Sequence, residues 1–189
     1  DLAVVDPPYG IGIDGQKEDI TKKGTQKRKG HEFKGWDNAI PKREYFEELR
    51  RVSKDQIIWG GNYFTEFLKP VKGWIFWYKG QQGLTMSDGE MAWTSLKKVT
   101  RMVDIHRTHL WQEKPNHPTQ KPVKLYNWIY KNYAQEGQKI LDTHLGSGSN
   151  AISAHYAKMG EFVGVELDED YYKSACERIK KETMQLELF

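Results

Sequence analysis

Apolar residues fall along this chain in two kinds of block, and the two kinds alternate. Leu2 to Val5 is a continuous apolar run that Asp6-Pro7-Pro8-Tyr9 ends. It predicts a buried strand feeding a rigid loop, because proline fixes φ and has no N–H to give to a ladder. Gln56–Trp59, Trp74–Tyr78, Lys139–Asp142 and Phe162–Glu166 predict further strands. Glu90–Thr94 and Val99–His106 predict two strands paired antiparallel through a short basic turn. Tyr45, Phe46, Leu49 and Val52 stand at helical spacing and predict a helix over Lys42–Lys54. Pro122–Tyr133, Ser149–Met159 and Glu169–Lys181 predict three more, the first with proline near its start, where a missing N–H matters least. Strands alternating with helices argue for an α/β fold, a doubly wound, largely parallel sheet. Gly10 to Gly35 has no usable period and predicts a mobile loop of a length that is usually functional or disordered.

The 189 residues suit one domain with a real core, so a single domain over 1–189 is expected. The chain starts at Asp1, directly inside an apolar strand, which leaves room for a missing upstream segment. No apolar run approaches the roughly 20 residues that span a bilayer, so no membrane association is expected. Cys176 is the only cysteine; no intrachain disulfide can form, and a reducing, cytoplasmic setting fits. The net charge of +3 says little, but its distribution says more. Thr21 to Lys34 holds six basic residues and one acidic one, whereas Glu161 to the end holds eight acidic and four basic. A basic, glycine-punctuated stretch suits a polyanion, and Lys22, Lys23, Lys27, Arg28 and Lys29 are its candidate phosphate contacts.

Ile140-Leu141-Asp142 leads into His144-Leu145-Gly146-Ser147-Gly148-Ser149 and then a helix. Gly146 and Gly148 can take positive φ and let a ligand approach the backbone, and the helix start offers free N–H groups. Glu166, twenty residues after Gly146, closes the next strand, where a carboxylate can accept both hydroxyls of a ribose. This order points to a nucleoside cofactor. It also fits the dinucleotide fingerprint, so an NAD-dependent oxidoreductase is a competing reading.

Asp6-Pro7-Pro8-Tyr9 suits a second chemistry. The exocyclic amine of adenine or cytosine is a poor nucleophile because its lone pair is delocalised into the ring. Two acceptors placed on its two hydrogens, the Asp6 carboxylate and the carbonyl of Pro7, would favour the pyramidal nitrogen that methyl transfer needs. Pro7 and Pro8 hold the backbone still. The Tyr9 ring can stack on a base lifted from the helix.

Together these residues resemble the amino methyltransferases of DNA. Asp6 to Tyr9 matches the family's D-P-P-Y, Asp142 to Ser149 is similar to its cofactor loop, Val165-Glu166-Leu167-Asp168 to its ribose-binding acid, and His117-Pro118-Thr119-Gln120-Lys121-Pro122 to the H-P-T-Q-K-P that opens a cofactor-side helix. The tetrapeptide precedes the cofactor loop, the order of the family's beta group, and the chain also looks like phage or prophage members. The resemblance implies a Rossmann-like, S-adenosylmethionine-dependent fold and methyl transfer to DNA of the restriction-modification kind. It implies adenine N6 as target, since Asp at the first position usually goes with adenine, with N4 of cytosine as the alternative. It places Asp142, His144, Leu145, Gly146, Gly148, Ser149, Glu166 and Leu167 around the cofactor, with Thr119 and Lys121 near its methionine end. No metal is required, DNA is the partner, and a homodimer is compatible. A catalytically dead nucleic-acid-binding module with this fold is the remaining alternative.

The chain departs from the family in three ways. The family usually has a strand and a Gly-Asp segment just upstream of D-P-P-Y, and the sequence begins too late to show that segment. His144 stands where Phe is common. No large recognition domain is present, so target recognition falls to 10–35, to about 80–116, or to a partner. Other residues read as structural. Cys176 is expected to be buried or inert, and the six histidines lack metal spacing. His106 to His109 reads as a strand end and Asn62 as a helix cap. Most of Trp74, Trp77, Tyr78 and Trp93 read as core, with Trp77 or Tyr78 as candidate base-pocket residues. Lys97, Lys98, Arg101 and Arg107 are either phosphate contacts or a solvated face.

Overall fold

A computed structural model describes residues 1–15, 33–83, 86–106, 113 and 119–184. Seven strands form one sheet: β1 (Leu2–Val5), β2 (Asp55–Trp59), β3 (Trp74–Tyr78), β4 (Gly89–Thr94), β5 (Arg101–Asp104), β6 (Lys139–Asp142) and β7 (Glu161–Gly164), in the order β5-β3-β4-β2-β1-β6-β7. Four helices flank it: α1 (Arg43–Val52), α2 (Val123–Tyr133), α3 (Ser149–Tyr156) and α4 (Glu169–Met184). A short 3₁₀ turn covers Gly61–Tyr63. β1 lies parallel to β2 and β6, and β6 to β7.

The pattern predicts β4 and the following strand as an antiparallel pair, and the structure corrects this. β4 is antiparallel to β2 and β3, while β5 runs parallel to β3 at the sheet edge. Both edges of β4 are already taken, so β5 has only the outer side of β3 to pair with. β4 is thus the reversed strand of this sheet, and its N-terminal end lies beside the C-terminal ends of its neighbours. β5 ends at Asp104, two residues short of the predicted end; Arg107 to His109 lie outside the described residues. β7 ends at Gly164, so Glu166 stands in the loop beyond the strand.

Period-two alternation splits β1 between two cores. Leu2 and Val4 join Ile57, Trp59 and Ile75 under Leu125, Tyr126 and Ile129 of α2 and Ala154 of α3. Ala3 and Val5 join Ile58 and Trp93 under Phe46 and Leu49 of α1, with Phe64 and Leu68. Both faces are covered, which is why β1 reads as an unbroken apolar run. Each fully buried Leu, Val or Ile contributes roughly 1.5–3 kcal/mol. α4 packs Ala175 and Ile179 on Leu145 and Ala151, beside the glycine turn.

Several single residues fall differently from the pattern. Trp77 is buried, with its indole N–H donating to the Ile105 carbonyl at 2.8 Å, so it is core and not pocket. Cys176 is exposed on α4. Asn62 lies inside the 3₁₀ turn, whose N-cap is Gly60 without side-chain help. The Lys98 ammonium donates to the Asn132 carbonyl near the end of α2 and lies over the Tyr133 ring, 5.0 Å from its centre. The described ends of the 10–35 segment are stitched together: Asp37 accepts from the N–H groups of Gly10 and Ile13, and Asp14 from those of Lys34, Gly35 and Trp36. Among the described residues, no helix is long and apolar enough to cross a membrane.

Candidate active site

A cavity of about 1250 Å³ opens at the C-terminal ends of β1, β2, β6 and β7, where open α/β sheets bind their ligands. Asp6, Pro7, Pro8 and Tyr9 line one part of it. His144, Leu145, Gly146, Ser149, Glu166 and Leu167 line another, and Thr119 and Lys121 complete the wall. The structure thus brings four separated segments, 6–9, 119–121, 144–149 and 166–167, into one cavity. Gly148 and Asp142 stand just behind. Of the two candidate base-pocket aromatics neither lines the cavity; Phe76, which precedes them on β3, does.

The two glycines of the turn do different jobs. Gly146 has φ +52°, and the nearest atom to a Cβ built there is the His144 carbonyl at 3.9 Å, so the space above it is open. Gly148 has φ +78°, and a Cβ there would meet Ile179 of α4 at 3.0 Å. One glycine leaves room for a ligand, the other for a helix. Glu166 accepts from the Gly146 N–H at 2.8 Å and from the Asp168 N–H at 3.0 Å. Its carboxylate is therefore fixed on the rim, and each oxygen keeps a further lone pair for a hydroxyl. A nucleoside cofactor fits this cradle.

Behind the turn, Asp142 accepts from the His144 N–H at 3.0 Å and from the Asn150 amide at 2.8 Å. Burial pushes its carboxyl up to about 7, against those hydrogen bonds. His144 bonds through Nδ1 to Thr143 Oγ1 at 3.0 Å and meets the Tyr45 ring edge-on at 5.5 Å. Burial pushes its imidazole down to about 4. On the rim, Lys34 pairs with Asp168 at 2.7 Å and Asp170 at 2.8 Å, which holds the end of the basic segment beside Glu166. Arg178 of α4 donates to the Ser147 carbonyl at 3.0 Å, to Ser149 Oγ at 2.8 Å and to Glu113 at 2.9 Å. Glu113 in turn accepts from the first N–H of α2, at Val123.

At the tetrapeptide, Tyr9 donates to Asp6 Oδ1 at 2.7 Å. Its ring stacks on Tyr63 at 5.0 Å and 17°. Gly60 permits this, with φ +68° and a would-be Cβ only 2.1 Å from the Tyr9 ring. Lys121, 3% exposed, places its ammonium on Asp6 Oδ2 and, at 3.0 Å, on Glu90 Oε2. Lys79 holds the other oxygen of Glu90. Glu90 carries no motif signal: a lone Glu at the start of an apolar strand ordinarily faces water. It reaches the site because β4 is reversed, which brings Gly89 and Glu90 to the ligand edge opposite Tyr78 and Trp77. Burial raises the Asp6 carboxyl, and this outweighs the nearby ammonium. Burial also pushes Glu90 up, but Lys121 and Lys79 together overcome it and hold that carboxyl down at about 2. Among the described residues, no group of three His, Cys, Asp or Glu side chains could hold a metal ion.

A mixed, mostly parallel sheet with helices on both faces and a glycine turn at its carboxyl edge defines the Rossmann-like fold of S-adenosylmethionine-dependent methyltransferases. Residues 58–177, more than half of the chain, match the family model of DNA methylases acting on N6 or N4 amines, and the chain belongs to that family. Membership sets aside the dinucleotide reading of the glycine turn. The Type II methyltransferase M.HpaI of Haemophilus parainfluenzae is 27% identical over 230 aligned positions, covering 96% of this chain and 68% of that protein. The DNA adenine methyltransferase YhdJ of Escherichia coli K12 is 34% identical over 71 residues, 38% of this chain and 24% of that protein. The crystal structure of an M1.HpyAVI–SAM complex superposes with a TM-score of 0.63 at 18% identity, covering 95% of this chain and 88% of that one. The cytosine-N4-specific PvuII DNA methyltransferase gives 0.57 at 12% identity, covering 97% and 83%.

Proposed function

We propose that this chain moves a methyl group from S-adenosylmethionine to the exocyclic amine of a base flipped out of DNA, with N6 of adenine as the target. One observation carries the reading: Asp6 and Tyr9 share a single cavity with Gly146 and Glu166, so a base amine and an adenosyl cofactor can meet there. The cofactor, when bound, supplies an activated methyl group. Glu166 and the open backbone at Gly146 hold its nucleoside end, and His144, Leu145, Ser149 and Leu167 flank it. Asp6 and the Pro7 carbonyl accept the two amine hydrogens, and the stacked Tyr9–Tyr63 pair is the aromatic wall for the base. Choice of adenine rests on Asp at the first position of the tetrapeptide. The relatives named as Type II methyltransferases support a modification role.

Single-turnover transfer of labelled methyl to DNA, with base analysis of the product, tests this. Asp6→Ala should slow transfer about 100- to 1,000-fold and leave S-adenosylmethionine affinity nearly intact, because the interaction strengthens as charge develops on the amine. Label in N4-methylcytosine would overturn the base assignment alone. Full activity in Asp6→Ala would overturn the mechanism.

A further inference from the structure

Both oxygens of the Asp6 carboxylate are engaged, Oδ1 by the Tyr9 hydroxyl and Oδ2 by the Lys121 ammonium. An amine that is to donate to Asp6 must share or displace one of them. The ammonium matters more, because a cation on Asp6 opposes the positive charge that develops on the amine during transfer. Lys121 is almost wholly buried, and a buried ammonium stripped of its partner is costly.

The cluster holds a second partner in place. Glu90 Oε2 lies 3.0 Å from Lys121 Nζ and 3.3 Å from the Tyr9 hydroxyl, so one oxygen converges on both groups that occupy Asp6. Glu90 is itself anchored: its backbone is paired with Trp77 across β3 and β4, and Lys79 takes its other oxygen. The Trp59 ring, 5.2 Å from Nζ, walls the ammonium on a further side. The formal charges of Asp6, Glu90, Lys121 and Lys79 sum to zero. Neutralising Glu90 would leave one positive charge in excess where the amine must become positive.

We infer that Glu90 is a positioning residue for methyl transfer, retaining Lys121 while Asp6 turns from the ammonium to the target amine. This rests on the proposed function of the same site. Glu90 does not touch the reacting atoms; it acts through Lys121, and secondarily through Tyr9. The step is an exchange of hydrogen-bond partners and makes or breaks no covalent bond.

The experiment is a double-mutant cycle of Glu90→Gln and Lys121→Gln, read as the single-turnover methyl-transfer rate at saturating S-adenosylmethionine and DNA. Cofactor affinity and urea unfolding are measured on every variant. Glu90→Gln keeps the side-chain volume and should slow transfer about 100-fold, the scale for a misplaced catalytic group, with KM and cofactor affinity unchanged. Lys121→Gln should cost much less in the Glu90→Gln background than in the wild type, because Lys121 is then the group that obstructs Asp6. A Glu90→Gln variant at the wild-type rate would overturn the inference while leaving the proposed function standing. So would strictly additive effects, or a slower rate that follows cofactor affinity or stability. A wild type that transfers no methyl to DNA would overturn the proposed function, and this inference with it.

Discussion

The side-chain amide of Asn150 donates to the main-chain carbonyl of Val4 at 3.0 Å, tying the first turn of α3 to the strand that carries Asp6. The same amide donates to Asp142 at 2.8 Å, and its oxygen accepts from the Tyr130 hydroxyl at 2.5 Å. One buried side chain thus fixes the distance between the tetrapeptide and the cofactor turn.

Replacing Asn150 by Ala strands three buried partners at once. Each buried polar group left unmade costs about 1–3 kcal/mol, so the variant should lose about 3 kcal/mol or more of stability. Urea unfolding measures it, and a change below about 0.5 kcal/mol would mean that this amide does not tie the two strands together.

Gly60→Ala should damage catalysis as well as stability. The backbone there is left-handed, which costs a non-glycine residue about 1–2 kcal/mol, and the new methyl would strike the Tyr9 ring. Gly137→Ala is the control, with φ +83° and nothing within 4 Å of a Cβ built there. It should lose similar backbone stability and keep its methyl-transfer rate. Equal rates in the two variants would remove Gly60 from the site.

His144→Phe should change the pH dependence of stability. The fold holds this imidazole at about 4, against an ordinary value of 6.5, because burial disfavours the cation. Between those values the unfolded chain binds the proton and the folded one does not, so the wild type loses stability as pH falls from 6.5 to 4. The loss is at most about 3 kcal/mol, and the Phe variant lacks it. Unfolding midpoints of both proteins at about pH 7 and about pH 4.5 should diverge at the lower pH. Parallel curves would show that His144 takes up a proton freely in the fold.

Glu166→Ala should weaken S-adenosylmethionine by about 1–3 kcal/mol, the scale for hydrogen bonds to a charged group. Calorimetry with S-adenosylmethionine and NAD on both proteins checks this. Tight NAD binding by the wild type, with none of S-adenosylmethionine, would sink the cofactor assignment.

Lys22, Lys23, Lys27, Arg28 and Lys29 lie outside the described residues, and we propose from charge density alone that they bind DNA phosphates. Neutralising two of them should weaken cognate and random DNA alike and lower the salt slope by about 0.9 for each phosphate no longer neutralised. An unchanged slope would free this segment of any phosphate role.

The alternation of strands and helices, the glycine turn and the Asp-Pro-Pro-Tyr segment are legible in the chain before it folds. Each rests on local chemistry: apolar period, positive φ at glycine, fixed φ at proline. The pairing of β5 and the reversal of β4 were not legible, since strand neighbours are chosen by which edges remain open once the sheet assembles. Glu90 and Asn150 were hidden for the same reason. A carboxylate at a strand end and an amide in a helix's first turn look like surface residues until the fold encloses them. Lys121 is the intermediate case: its motif announces a functional lysine, but folding alone sets its charge between Asp6 and Glu90. A buried charge takes its role from its partners, and those partners lie 115 residues away for Asp6 and on a reversed strand for Glu90.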